Sequence, residues 1–67
     1  MLKLIVNGEE RDVPAGLTAR ELVESFGLKP EVVVVERNEE VVKRDRLAQV
    51  VLAPGDRIEI IQMIAGG

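Results

Sequence analysis

Gly66 and Gly67 follow directly on the apolar stretch Ile60-Ile61-Gln62-Met63-Ile64-Ala65, and they are the residues of this chain with the clearest chemical opportunity. Glycine has no Cβ, so a Gly-Gly segment is the thinnest and most permissive backbone that can enter another protein's narrow cleft. A terminal α-carboxylate is ionised at neutral pH and is a poor electrophile until another group activates it. Two glycines are also what a frayed chain end looks like, because termini are commonly loose. The rest of the chain decides between these readings.

The composition removes most catalytic chemistry from the chain itself. Cysteine and histidine are both absent. Zinc and iron-sulfur sites, Cys or His nucleophiles and the usual base near neutral pH go with them, so no metal is expected. The remaining nucleophile candidates are Thr18, Ser25 and three lysines, and no base near either hydroxyl in sequence would activate it. Neither G-x-x-x-x-G-K-[ST] nor G-x-G-x-x-G occurs, so any ATP is expected on a partner and no cofactor on this chain. The expected role is that of a co-substrate rather than an enzyme.

Charge and hydropathy narrow the partners. The net charge is −3 and Phe26 is the one aromatic residue, which argues against nucleic acid, whose binding wants a basic face and stacking platforms. The basic cluster Arg37, Lys43, Arg44 and Arg46 is interleaved with Glu36, Glu39, Glu40 and Asp45. It reads as a solvated surface, with a docking patch as the second reading. The aliphatic runs Val32–Val35 and Val50–Ala53 fall far short of the roughly 20 residues a bilayer requires. Leu4-Ile5-Val6 is interrupted by Asn7-Gly8, which leaves no apolar core for a secretory signal. No membrane partner and a cytoplasmic location are therefore expected. A chain of 67 residues is expected to form one domain, residues 1–67, with a flexible tail from about 63 to 67.

The elements that must carry the tail are well marked. Leu2–Val6 alternates as a first strand, and Asn7-Gly8 suits a type I′ turn into a second strand around Glu10 to Val13. Thr18-Ala19-Arg20-Glu21 fits a capping box, with Leu17 and Leu22 placed for a hydrophobic staple. Leu22, Val23 and Phe26 form the apolar stripe of the helix, which places Phe26 in the core. Gly27 stands at the left-handed C′ site, Leu28 can reach back to Val23, and Pro30 stops the helix from resuming. Val32–Val35 is β-branched throughout, which predicts a strand well inside the sheet and covered on much of both faces. A polar connection at Arg37-Asn38-Glu39 leads to a short strand at Glu40 to Val42, and Lys43 to Arg46 is expected as a charged surface segment. Val50 to Leu52 is a brief extended piece. Pro54-Gly55-Asp56 fits a type II turn that launches a last strand in which Ile58 and Ile60 face inward and Ile61 breaks the alternation. One helix against a mixed sheet of four to five strands makes an α+β domain.

The segment Pro54-Gly55-Asp56-Arg57-Ile58-Glu59-Ile60, followed by Ile64-Ala65-Gly66-Gly67, resembles the ThiS family of sulfur carriers of thiamine biosynthesis. Glu36-Arg37-Asn38-Glu39-Glu40-Val41-Val42 resembles that family's third-to-fourth strand segment, and Asn7-Gly8 with the Thr-headed helix resembles its first half. Lys43 departs from a proline common in relatives, and Leu47 from a position often aromatic. The resemblance implies a ubiquitin-like β-grasp fold with the last strand beside the first in mid-sheet.

The same resemblance implies a carrier whose Gly67 carboxylate is adenylated by an E1-like, ThiF-type enzyme using ATP. A sulfur donor protein then converts it to a thiocarboxylate, and a ThiG-type thiazole synthase consumes it. Gly66 would be needed for threading, and Met63, Ile64 and Ala65 are candidate partner contacts, although Met63 and Ile64 could equally cover the domain's own core edge. The Gly-Gly ending is shared with MoaD-type subunits of molybdopterin synthase and with ubiquitin-like protein modifiers, so those readings stay open beside a non-covalent binding module. The short length and the Ile-Ala-Gly-Gly ending favour ThiS.

Overall fold

Asn7 and Gly8 both take positive φ, 50° and 82°, as the turn of a two-residue hairpin requires. In the computed structural model, which describes residues 1–63, they join β1 (Leu2–Val6) to β2 (Glu9–Val13) with Val6 opposite Glu9. Helix α1 (Ala19–Ser25) starts where the capping box places it. The Glu21 amide donates to Thr18 Oγ1 at 3.1 Å, and Glu21 Oε1 accepts the Thr18 amide at 2.9 Å. At the other end Gly27 has φ 75°, its amide donates to the Glu24 carbonyl at 2.9 Å, and the Leu28 amide reaches the Val23 carbonyl at 3.4 Å. These two bonds are the pair that closes a helix through a left-handed residue.

After a 3-10 turn at Pro30–Val32 the chain forms β3 (Val33–Arg37) and β4 (Glu40–Val42), then a 3-10 segment at Arg44–Gln49, and ends in β5 (Arg57–Gln62). The five strands form one sheet in the order β2-β1-β5-β3-β4, with β1 and β5 parallel and the other pairs antiparallel. The last strand therefore lies at the centre, next to the first. One face of the sheet packs Leu4, Val6, Val33, Val35, Ile58 and Ile60 against Ala19, Leu22 and Val23 of α1, and Val13, Leu47 and Leu52 complete the core. This is the α+β arrangement expected, with five strands.

Four expectations need correction. Val32 belongs to the 3-10 turn rather than to the strand, because Pro30 presets the first residue of that turn. Lys43 to Arg46 is the exposed charged segment expected, and from Arg44 to Gln49 the chain winds as a 3-10 helix that buries Leu47 to 2% exposure. The valine run is covered on one face only: Val33 and Val35 are buried, while Val34 is half-buried on the opposite face beside Ile61, which is 49% exposed. Ile61 continues the geometric alternation and points to that open face. Phe26 is not a core residue. It sits at the helix C-cap, 36% exposed, with the Arg11 guanidinium 4.8 Å above its ring, because the turn at Gly27 ends the helix before another residue can cover it.

A polar network locks the start of β5. Pro54-Gly55 forms the expected turn, with Gly55 at φ 82° and the Asp56 amide donating to the Ala53 carbonyl at 3.1 Å. Asp56, only 7% exposed, accepts from the Ala53 amide at 2.8 Å, Arg37 Nε at 2.8 Å and Asn38 Nδ2 at 3.0 Å. Asn38 Oδ1 in turn accepts the Arg57 amide at 2.9 Å. Burial pushes the Asp56 pKa up, but the bonds from Ala53, Asn38 and Arg37, with the Arg37 charge, outweigh it and hold the carboxyl below its usual range.

Two measurements check this architecture. Phe26→Ala is expected to cost about 1–2 kcal/mol in urea unfolding, below the roughly 3–5 kcal/mol of a core phenylalanine; a loss in the core range would put the ring back inside. Asp56→Ala is expected to cost about 2–3 kcal/mol, since it strands Arg37 and two amide donors. A lowered folded pKa stabilises above the unfolded value, so the Asp56 contribution is complete above about pH 4 and disappears as pH falls through the folded pKa. The stability gap between wild type and Asp56→Ala should close below about pH 4.

Candidate functional site

The candidate site is the end of β5, because the central strand is the element that delivers the chain toward Gly66 and Gly67. β5 is held on both flanks. On the β3 side the pairing runs from Arg37 opposite Ile58 to Val33 opposite Gln62, and the Met63 amide then donates to the Val32 carbonyl at 2.7 Å. On the β1 side the pairing stops at Val6 opposite Ile58, and Asn7 takes over. Its backbone amide donates to the Ile58 carbonyl at 2.8 Å. Its side chain accepts the Ile60 amide at 2.8 Å and donates to the Ile60 carbonyl at 3.4 Å.

Met63 is 44% exposed, so it covers the core edge only in part. Ile64 and Ala65, the other candidate contacts, and Gly66 and Gly67, the threading and carrying residues, lie outside the described residues. Beside the exit, a groove of about 300 Å³ is lined by Asn7, Phe26, Leu28, Ile60 and Gln62. The open face of the sheet begins at the same place: Ile61 pairs with Val34 there, while Glu36 pairs with Glu59 farther back along β5. Apolar groups near the tail and acidic groups behind them make a surface graded along the strand.

Arg37 pairs with Asp56 and Arg46 Nη1 donates to Gln49 Oε1 at 3.2 Å, and Arg37, Lys43 and Arg46 border one groove with Glu40, Val41, Val42 and Val50. The ion pairs Lys3–Glu10, Arg11–Glu9 and Arg20–Glu24 are exposed and add little to stability. Among the described residues no group of three or more Asp or Glu side chains is placed to hold a metal ion. No described helix is long and apolar enough to cross a membrane.

Asn7 and Asp56 are the residues that sequence reasoning read only as turn formers. The Asn-Gly and Pro-Gly-Asp patterns were visible, but the partners of their side chains lie far away in sequence, 53 positions in the case of Asn7 and Ile60.

A thiazole synthase of Paramagnetospirillum magneticum is 42% identical over 66 residues, 98% of this chain, but the chain spans only about a fifth (20%) of that protein's length. The sulfur carrier protein ThiS of Escherichia coli is 30% identical over 66 residues, covering 98% of this chain and 100% of that one. The crystal structure of the thiamine biosynthesis protein ThiS of Geobacter metallireducens superposes with a TM-score of 0.83 at 30% identity, covering 98% of this chain and 100% of that one. A protein designed on the template of human erythrocytic ubiquitin matches at a TM-score of 0.54 and 22% identity, over 98% and 94% of the two chains, a likeness of fold. The family model described as "ThiS family" matches residues 4–67, from the first strand through Gly66 and Gly67, and the chain belongs to the ThiS family.

Proposed function

We propose that the chain is a sulfur carrier whose Gly67 carboxylate is the carrying group, and that its sulfur serves thiazole formation in thiamine biosynthesis. The observation that carries this reading is a family match that runs through Gly67 and reads the glycine pair together with the strand that leads to it. The absence of Cys and His fits a protein that is acted upon.

In the proposed sequence an E1-like partner binds ATP and directs the Gly67 carboxylate onto its α-phosphorus. Pyrophosphate leaves and an acyl adenylate forms. Its carbonyl is electrophilic, sulfide-level sulfur from a donor protein adds there, and AMP departs to leave a thiocarboxylate. A thiazole-forming synthase then takes up the sulfur. Two relatives support the last partner: each is named a thiazole synthase, and a segment like this chain makes up 20% of its length. From Met63 to Gly67 a fully extended chain reaches at most about 16–18 Å, enough to thread an enclosed site while the folded body stays outside. Side chains at positions 66 and 67 would obstruct that passage. The chain works in the cytoplasm on this reading, beside partners that hold the nucleotide.

Incubating the chain with an E1-like enzyme, ATP and a sulfur donor is expected to raise its intact mass by the replacement of one oxygen by sulfur, with no gain after deletion of Gly67. Isopeptide conjugates to lysines would point to a protein modifier, and an unchanged mass with an enzyme that activates another carrier would point to a binding module. Ile64→Asp is expected to block adenylation while leaving the thermal midpoint within a degree or two, since it removes apolar grip from the tail; normal adenylation of that variant would remove Ile64 from the contacts.

A further inference from the structure

We infer that Asn7 is a positioning residue for the chemistry at Gly67, which rests on the carrier reading above. β1 and β5 run parallel, and β1 ends opposite Ile58, whereas β5 continues to Gln62. Among the described residues no part of β1 lies opposite Ile60. A strand emerging from the middle of a sheet would there lose its support on one flank.

Asn7 supplies that support with its side chain. A carboxamide carries one acceptor oxygen and donor N–H groups, the complement that a peptide unit offers. Placed at Ile60, with Oδ1 2.8 Å from the amide nitrogen and Nδ2 3.4 Å from the carbonyl oxygen, it replaces the missing residue of β1. The residue at this position must meet two demands. It must take φ 50° for the turn, which asparagine tolerates better than most residues, and it must present a peptide-like group one step from the backbone. Glycine meets the first demand alone. Aspartate accepts from the Ile60 amide but sets an oxygen against the Ile60 carbonyl.

The other flank is closed by the bond from the Met63 amide to the Val32 carbonyl at 2.7 Å. Together the two contacts direct the chain from Ile60 to Met63, immediately ahead of Ile64 to Gly67. Gly67 lies four residues beyond Met63, so the delivery of its carboxylate to a partner's site depends on how firmly the chain is aimed at Met63. A looser aim dilutes the carboxylate at the partner's nucleotide without altering the surface by which the body docks.

The test is steady-state adenylation of the full chain by an E1-like enzyme, with amide hydrogen exchange measured on the free carrier. Asn7→Gly keeps the turn and is expected to lower kcat about three- to tenfold, while KM for the carrier stays within about twofold. Its Ile60 amide should exchange faster than in wild type. The matched control is Asn38→Gly, which also has positive φ, 52°, and whose side chain holds the opposite end of β5 through the Arg57 amide. It is expected to lose stability and keep kcat. Unchanged kcat in Asn7→Gly, or an equal fall in both variants, overturns the positioning role and leaves the carrier reading standing. A wild-type chain that the enzyme does not adenylate, while activating another carrier, overturns both.

Discussion

Parallel pairing of β1 with β5 is the constraint on which the rest of this structure depends. It joins the first strand of the chain to the last, and its direct register is short, Ile5 opposite Arg57 and Val6 opposite Ile58. Bonds at either end extend it: the Gly55 amide to the Lys3 carbonyl, the Ile5 amide to the Asp56 carbonyl and the Asn7 amide to the Ile58 carbonyl. Closing so long a loop carries an entropic cost that only a packed core offsets. The helix and the β3–β4 hairpin supply that core, lying between the two strands in sequence and packing Leu22, Val23 and Val35 against Leu4 and Ile58 in space.

The two ends of β5 are secured by polar side chains of different character. At its start, a buried carboxylate gathers donors from the turn and from the β3–β4 hairpin, so a charge is tolerated because each of its neighbours is a donor. At its end, a neutral amide takes the place of a strand. Among the described residues no buried side-chain nitrogen or oxygen lacks a partner. The central strand thus combines an apolar face with satisfied polar ends.

The two faces of the sheet are covered unequally. Its inner face is covered by α1 and by the connection through Leu47 and Leu52, whereas Ile5, Val34 and Ile61 lie toward the other face without a covering element among the described residues. Four consecutive valines describe a strand well but say nothing of how many layers cover it. Phe26 teaches a related lesson. Helical spacing places it on the stripe of Leu22 and Val23, yet the helix ends at Ser25, and the ring lies at the rim under Arg11.

Local rules made much of this protein legible in its sequence. The Asn-Gly hairpin, the Thr18–Glu21 capping box, the Gly27 stop and the Pro-Gly turn each rest on backbone conformations that a few neighbouring residues decide, and each stands where those residues place it. The glycine pair and the missing Cys and His are equally features of the chain as written. Tertiary structure alone decided which strands became neighbours, which face of the valine strand was left open, and what Asp56 and Asn7 do. Those outcomes depend on contacts between residues far apart in sequence, such as Asn7 with Ile60 and Arg37 with Asp56. A short-range pattern cannot carry them, because they come into being only when the loop between the first and last strands closes.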